Sequence, residues 1–286
     1  MGARTNLRHS SNMHDTEHDP QKSTKASDAG SLRRGVMLLK ILATAGARGL
    51  ALTELAARAD LPHPTVHRVL RQLSDERLVA RNDELKRYRL GPLAFELGMA
   101  GATMYDLRDL CEEVMDRLSA ETGDTVYLVV RSGFDAVCMH RHEGSFPIRT
   151  LVLDVGSRRP LGVGAGGLAL LAALDDEERS EVIERIGPKL SGFHGVTTSF
   201  LERASTRTRQ EGVAIVQDTV NLGVSAVGQA FRDGMGQPLG ALSVAALSHR
   251  MTRSRLLHIG TMLKDGCTDI EKRLRVHRRK GWHYGP

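Results

Sequence analysis

The chain has 286 residues, 40 Lys+Arg against 34 Asp+Glu for a net charge of +6, and 41% hydrophobic but only 4% aromatic residues. That length suits two domains of ordinary size with real cores. No apolar run approaches the ~20 residues of a membrane-crossing helix, and no apolar stretch near the N-terminus reads as a secretory signal. Cys111, Cys138 and Cys267 are scattered without C-x-x-C spacing, so neither a disulfide framework nor a zinc knuckle is expected. The expectation is a cytoplasmic protein with three buried thiols. Its twelve histidines form no H-E-x-x-H or other ligand pattern, so neither a metal nor a cofactor is expected.

Residues 1–30 are polar and read as a disordered tail, with His9, His14 and His18 as a weak metal tract. Ser31 is expected to cap a helix bearing Leu32, Val36, Leu39, Ile41 and Leu42. The stretch LTELAARADLPHPTVHRVLRQL follows. Thr53 suits the N-cap of a short helix carrying Leu55, Ala56 and Ala59. Leu61-Pro62 ends it, because a residue before proline leaves the α region. A second helix starts near Pro64 with Val66, Val69, Leu70 and Leu73 as its apolar stripe and Arg68 and Arg71 on the opposite side. Val79-Ala80 and Arg87-Tyr88-Arg89-Leu90 then read as a hairpin, Tyr88 and Leu90 inward and Arg87 and Arg89 outward.

Helix, tight turn, basic second helix and hairpin make a winged helix-turn-helix over 31–91. Segment 31–100 holds 12 Lys+Arg against 7 Asp+Glu, so most of the basic excess sits where phosphate attraction needs it. Double-stranded DNA is the partner this predicts. The candidate contacts are Thr53, His63, Pro64, Thr65, His67, Arg68 and Arg71 on the helices, with Arg81, Lys86 and Arg87 in the wing.

Gly91-Pro92 opens a linker helix over 92–104, where Leu93, Phe95, Leu97 and Met99 are a candidate self-association surface. A break is expected near 101–104, then a helix with Leu107, Leu110, Val114, Met115 and Leu118. From Thr125 the period becomes two. TVYLVV and DAVCMHRHE read as a hairpin around Ser132-Gly133, and PIRTLVLDVG as a third strand. RPLGVGAGGLALLAAL reads as a glycine-rich turn entering a short helix. Helices are expected over Asp175–Ile186 and Phe200–Gly212, then the strand VAIVQD, a hairpin around Asp233–Gly236, and a closing helix from Thr252 to about Arg279. The second domain, 105–279, is therefore α+β with a mainly antiparallel sheet.

These stretches, in this order and spacing, resemble the IclR family of bacterial transcription regulators over residues 31 to 276. The resemblance implies a winged helix-turn-helix, a linker helix and a GAF-like effector domain. It also implies homodimers or homotetramers that bind promoter DNA, mostly as repressors of catabolic genes, and respond to small organic acids. By resemblance, backbone N–H groups of Ala165 and Gly166 hold the effector carboxylate, Val216, Val224, Ala226, Ser243 and Ala245 line the pocket, and Ile148 and Leu151 supply an apolar wall. Leu168 stands where the family has a lysine, and only Ser243 keeps a polar group among the pocket positions. That departure favours an acid with an apolar or aromatic body over a pyruvate-like one. His63 and Pro64 likewise stand where the family commonly has Lys and Ser.

A competing reading is a nucleotide-binding oxidoreductase, because Gly162, Gly164 and Gly167 match GxGxxG. That motif requires a strand directly before it and a βαβ unit around it. The expected third strand ends near Val155, and no βαβ pattern follows. No GxSxG elbow or Cys/His arrangement points to hydrolysis, so no catalytic residues are expected.

Overall fold

The computed structural model describes residues 20–46, 48–100 and 103–278. These residues divide into two compact units, the first built from 20–42 and 48–92, the second from 43–46 and the described residues from Leu93 on.

In the first unit, α1 (Pro20–Ala43) begins eleven residues before the expected Ser31 cap. Pro20 at its first position loses no hydrogen bond, and the Gln, Lys and Ala that follow are good helix formers, so residues 20–30 are helical rather than tail. Residues 1–19 of the expected tail lie outside the described residues. The face that α1 buries carries Leu38 and Leu42, whereas Leu32 and Val36, expected in the stripe, are exposed.

The two short helices are α2 (Leu52–Ala59) and α3 (His63–Asp75). Thr53 is not the N-cap. Ala51 holds that position, and its N–H donates to Glu54 Oε2 at 2.7 Å, so the third helical residue satisfies the orphan donor. Asp60 ends α2 in the left-handed region, and α3 buries Val66, Val69 and Leu70. The wing is β2 (Val79–Asn82) paired with β3 (Arg87–Leu90). A strand not anticipated, β1 (Leu50–Ala51), adds to the other side of β3 in the order β1-β3-β2. Tyr88 is buried as expected, but Leu90 at the strand end is 37% exposed and so does not face in.

The second unit opens with α4 (Pro92–Ala100) and α5 (Thr103–Thr122); of the break expected near 101–104, residues 101–102 lie outside the described ones and 103–104 already belong to α5. Among the described residues, six strands form one antiparallel sheet in the order β6-β5-β4-β9-β8-β7. They are β4 (Thr125–Ser132), β5 (Asp135–His142), β6 (Arg158–Pro160), β7 (Ala214–Gln217), β8 (Val224–Arg232) and β9 (Pro238–Leu247). Successive side chains of β4 alternate between two cores. Val126, Leu128 and Val130 meet α5 and α9 (Arg253–Arg278), whereas Tyr127 and Val129 meet the layer of α6 (Ala165–Ala173), α7 (Asp176–Ile186) and α8 (Thr198–Glu211). Asp175 and Thr197 cap α7 and α8 through their side chains.

The third strand is not PIRTLVLDVG. Residues 147–156 lie outside any strand, and the edge strand is Arg158–Pro160. A buried side chain holds the segment where a ladder was expected: Tyr127 Oη donates to the Thr150 carbonyl and accepts from the Val152 N–H at 3.1 Å. Ile148, Leu151 and Val155 consequently face solvent.

Candidate DNA-reading face and effector cavity

On α3 the stripe of Val66, Val69 and Leu70 turns the rest of the helix outward, so His63, Pro64, His67, Arg68, Arg71 and Gln72 are exposed and Thr65 is half-buried. Among the described residues neither Arg68 nor Arg71 forms an ion pair, which leaves both guanidinium forks for base edges or phosphates. Thr53 is exposed on α2, and Lys86 is exposed in the wing turn. Arg81 is also exposed but leans on its own hairpin, 3.5 Å from Asp83 and over the Tyr88 ring. Arg87 differs from all of these. It donates to the carbonyls of Arg48 and Gly49 and pairs with Glu54 at 2.8 Å, tying the wing to the start of α2. Hydrogen bonding from Ala51, with Arg87 close by, holds the Glu54 carboxyl below the usual range.

In the second unit the glycine turn lies under the sheet. Gly162 and Gly164 have φ of 99° and 84°, a region that side chains rarely adopt, and Gly164 is the N-cap of α6. The first N–H groups of α6 have no acceptor within the helix. Gly228 of β8 passes so close that a Cβ there would stand 2.4 Å from the Ala165 carbonyl oxygen, so only glycine lets the helix start sit on the strand.

A cavity with about 620 Å³ of atom-free space, its mouth included, opens above this helix start. Ala165, Gly166, Val216, Val224, Ala226, Ser243 and Ala245 all line it, so seven of the nine expected pocket residues come together. Ile148 and Leu151 do not. They are 60% and 50% exposed, and Val152 and Leu153 of the same segment form the wall instead. Leu168 is fully buried in the core beneath.

Sequence reasoning missed Tyr127, Cys138, Arg159, Val220 and Asn221 of the lining. Arg159 matters most. It lies on the edge strand, donates to the Val152 carbonyl at 2.7 Å, and among the described residues has no carboxylate partner, whereas its neighbour Arg158 pairs with Asp135. Burial pulls its guanidinium below the ordinary range, partly offset by Tyr127 and Cys138. The only signal in the sequence was the pair Arg158-Arg159 just before the glycine turn. The Cys138 thiol is pushed up to about 11 by burial, so it is not a nucleophile at neutral pH.

A strand does directly precede the GxGxxG stretch, contrary to expectation, but it is an edge strand paired antiparallel to β5. Every pair in that sheet is antiparallel, so the βαβ setting a dinucleotide needs is missing among the described residues.

Comparison with known proteins agrees with both halves. Residues 31–83 match the family model of the IclR helix-turn-helix domain, and residues 99–272 match that of the bacterial transcriptional regulator IclR C-terminal domain. The chain is 27% identical over 252 residues to the HTH-type transcriptional repressor AllR of Salmonella typhi, covering 88% of this chain and 92% of that one. To AllR of Escherichia coli K12 it is 27% identical over 249 residues, covering 86% and 90%. Among solved structures it is similar to an IclR transcriptional regulator from Alicyclobacillus acidocaldarius, with a TM-score of 0.69 at 24% identity over 85% of this chain and 98% of that one. It is also similar to an IclR homolog from Microbacterium hydrocarbonoxydans complexed with 4-hydroxybenzoate, with a TM-score of 0.66 at 23% identity, covering 86% and 99%. With an exposed basic helix on a winged unit, a walled cavity on a separate antiparallel unit and both family models matched in order, the chain belongs to the IclR family of bacterial transcriptional regulators.

Proposed function

We propose that this regulator acts as a promoter-bound repressor, that α3 reads the operator through Arg68 and Arg71, and that a carboxylate with an apolar or aromatic body in the cavity changes its hold on DNA. Promoter binding would place its work in the cytoplasm. The observation that carries the effector reading is the polarity of the cavity. Arg159 and the free N–H groups at the start of α6 make one cationic end, and Val129, Val152, Leu153, Val216 and Val224 make an apolar wall. A carboxylate is favoured where helix N–H groups and a guanidinium converge, and an apolar body fills the remainder. A small polar acid would leave the apolar wall wet. The 4-hydroxybenzoate bound by the Microbacterium homolog is an acid of this kind.

Calorimetry with benzoate-like, branched-chain and pyruvate-like acids tests the reading on the wild-type chain and on Arg159→Gln. The apolar acids are expected to bind the wild type best, and Arg159→Gln to weaken them at least tenfold while operator affinity stays as it was. Tight pyruvate binding, or acid binding indifferent to Arg159, would reject it. A second arm addresses catalysis, which the Cys138 thiol and the antiparallel setting of the glycine turn argue against: incubated acids should be recovered unchanged.

A further inference from the structure

On the sheet face away from the cavity, a helix and the β4–β5 hairpin bring together three ligating side chains that linear spacing could not reveal, because Glu112 precedes His142 by 30 residues. The β4–β5 register runs Val126 opposite His142, Tyr127 opposite Arg141 and Leu128 opposite His140, then Val129 opposite Cys138, so Met139 is the extra residue of a β-bulge. A bulge re-aims the side chains beyond it. By simple alternation His140 would share the cavity face of Cys138. With the bulge, His140 and His142 stand beside Leu128 and Val126, on the face that α5 covers.

Glu112 of α5 meets both rings. Its Oε1 is 3.0 Å from His142 Nε2 in a hydrogen bond. Its Oε2 is 3.0 Å from His140 Nε2, yet among the described residues those two buried atoms make no aligned hydrogen bond, so their geometry fails although their distance does not. A buried nitrogen and oxygen left unpaired are costly, and a shared cation satisfies both. One ligand atom from each of the three residues lies within 4.8 Å of the others. Asp116, one turn further along α5, adds a carboxylate 4.0 Å from His142 Nδ1.

We propose that Glu112, His140 and His142 form a binding site for a divalent transition-metal cation of the zinc type, and that the bound cation ties α5 to β5. Two imidazoles and one carboxylate match what zinc takes at a three-ligand site, with the fourth position left to water. Magnesium and calcium, which want oxygen ligands throughout, are disfavoured by the two nitrogens. Arg108, one turn before Glu112, acts on the site with opposing charge, lowering both the Glu112 carboxyl and the His140 imidazole.

The test uses the full chain with His9, His14 and His18 changed to alanine, so that these histidines cannot take up the probe. After chelator treatment it is titrated with Zn²⁺ by calorimetry and with Co²⁺ by visible spectroscopy. One equivalent of each is expected to bind, the cobalt spectrum showing weak ligand-field bands without thiolate charge transfer, and excess Mg²⁺ or Ca²⁺ failing to compete. Glu112→Gln and His142→Asn should each weaken Zn²⁺ by roughly 100-fold, since even changes to outer-shell partners cost 10–100-fold. Their melting in chelator should match the parent, and Zn²⁺ should raise the parent's melting temperature but not theirs. Zn²⁺ binding that survives both changes, thiolate bands with Co²⁺, or equal competition by Ca²⁺ would overturn the assignment.

Discussion

Arg87 donates to two carbonyls and pairs with Glu54, whereas Arg68 and Arg71 are exposed and, among the described residues, form no ion pair; this difference separates their expected effects on DNA binding. If Arg68 or Arg71 makes a bidentate base contact, its change to alanine should cost about 1–3 kcal/mol and relax one operator position. Arg87→Ala should instead lower the melting temperature by several degrees, because two carbonyls of the β1 approach and Glu54 lose their donor, while the salt slope of DNA binding stays unchanged. Mobility shifts at several salt concentrations, alongside melts, distinguish the two. A flattened slope in Arg87→Ala would make it a phosphate contact after all. The thiols supply a second expectation. Cys111 is pushed up to about 12 and Cys138 to about 11 by burial, from an ordinary 9.0. An unfolded thiol therefore ionises near 9.0 while the folded Cys138 does not until about 11, so this stability is fully present below pH 9 and lost as pH rises toward 11. At about 1.4 kcal/mol per pH unit, Cys138→Ala should remove roughly 2–3 kcal/mol from the alkaline fall in urea stability. An equally steep fall in Cys138→Ala would refute this.

Among the elements, those written in local pattern were legible and those held by distant side chains were not. The 3.6 period of Val66, Val69 and Leu70 and the Ser132-Gly133 and Asp233–Gly236 turns led directly to α3 and to two hairpins. Thr53 looked like a cap because capping chemistry is local, but Ala51 took the position once β1 paired with β3 and Glu54 reached back. PIRTLVLDVG alternated like a strand, yet its ladder partners are replaced by the hydroxyl of Tyr127, and no local pattern encodes that. The same contact moved the cavity wall from Ile148 and Leu151 to Val152 and Leu153. Arg159 was missed because only folding brings the edge strand over the start of α6. The latch itself is testable. Tyr127→Phe leaves a buried carbonyl and N–H unpaired, at about 1–3 kcal/mol, and should loosen the wall that Val152 forms. Both a lower urea midpoint and weaker acid binding are expected, and a variant with wild-type stability would show that the hydroxyl does not hold the segment.

At the scale of the whole molecule, the two units answer different needs, and neither alone is expected to give operator specificity. One winged unit buries little surface on DNA, and specific affinity commonly comes from two half-sites about one helical turn, or a multiple, apart. A second copy of the chain is therefore expected, with α4 as the candidate surface: Phe95 and Leu97 are 66% and 57% exposed, and both are large apolar side chains on one short helix. At 100° per residue the two project from different sides of α4, so a partner has to wrap the helix to cover both. The occupant expected there is the same helix of a second copy, since a self-complementary patch closes a two-fold dimer. Phe95→Glu with Leu97→Glu places like charges against each other across that axis. Sedimentation should then show the assembly falling to a smaller species, and operator affinity should fall by at least tenfold. Among the described residues neither belongs to a core cluster, so each copy should stay folded, its melting temperature falling only by what the partner contributed. The salt dependence supplies the internal control. A single winged unit neutralises about half the phosphates of a pair, so the slope of log affinity against log salt should roughly halve in the double variant. An unchanged assembly with unchanged slope would move the dimer surface elsewhere on the second unit.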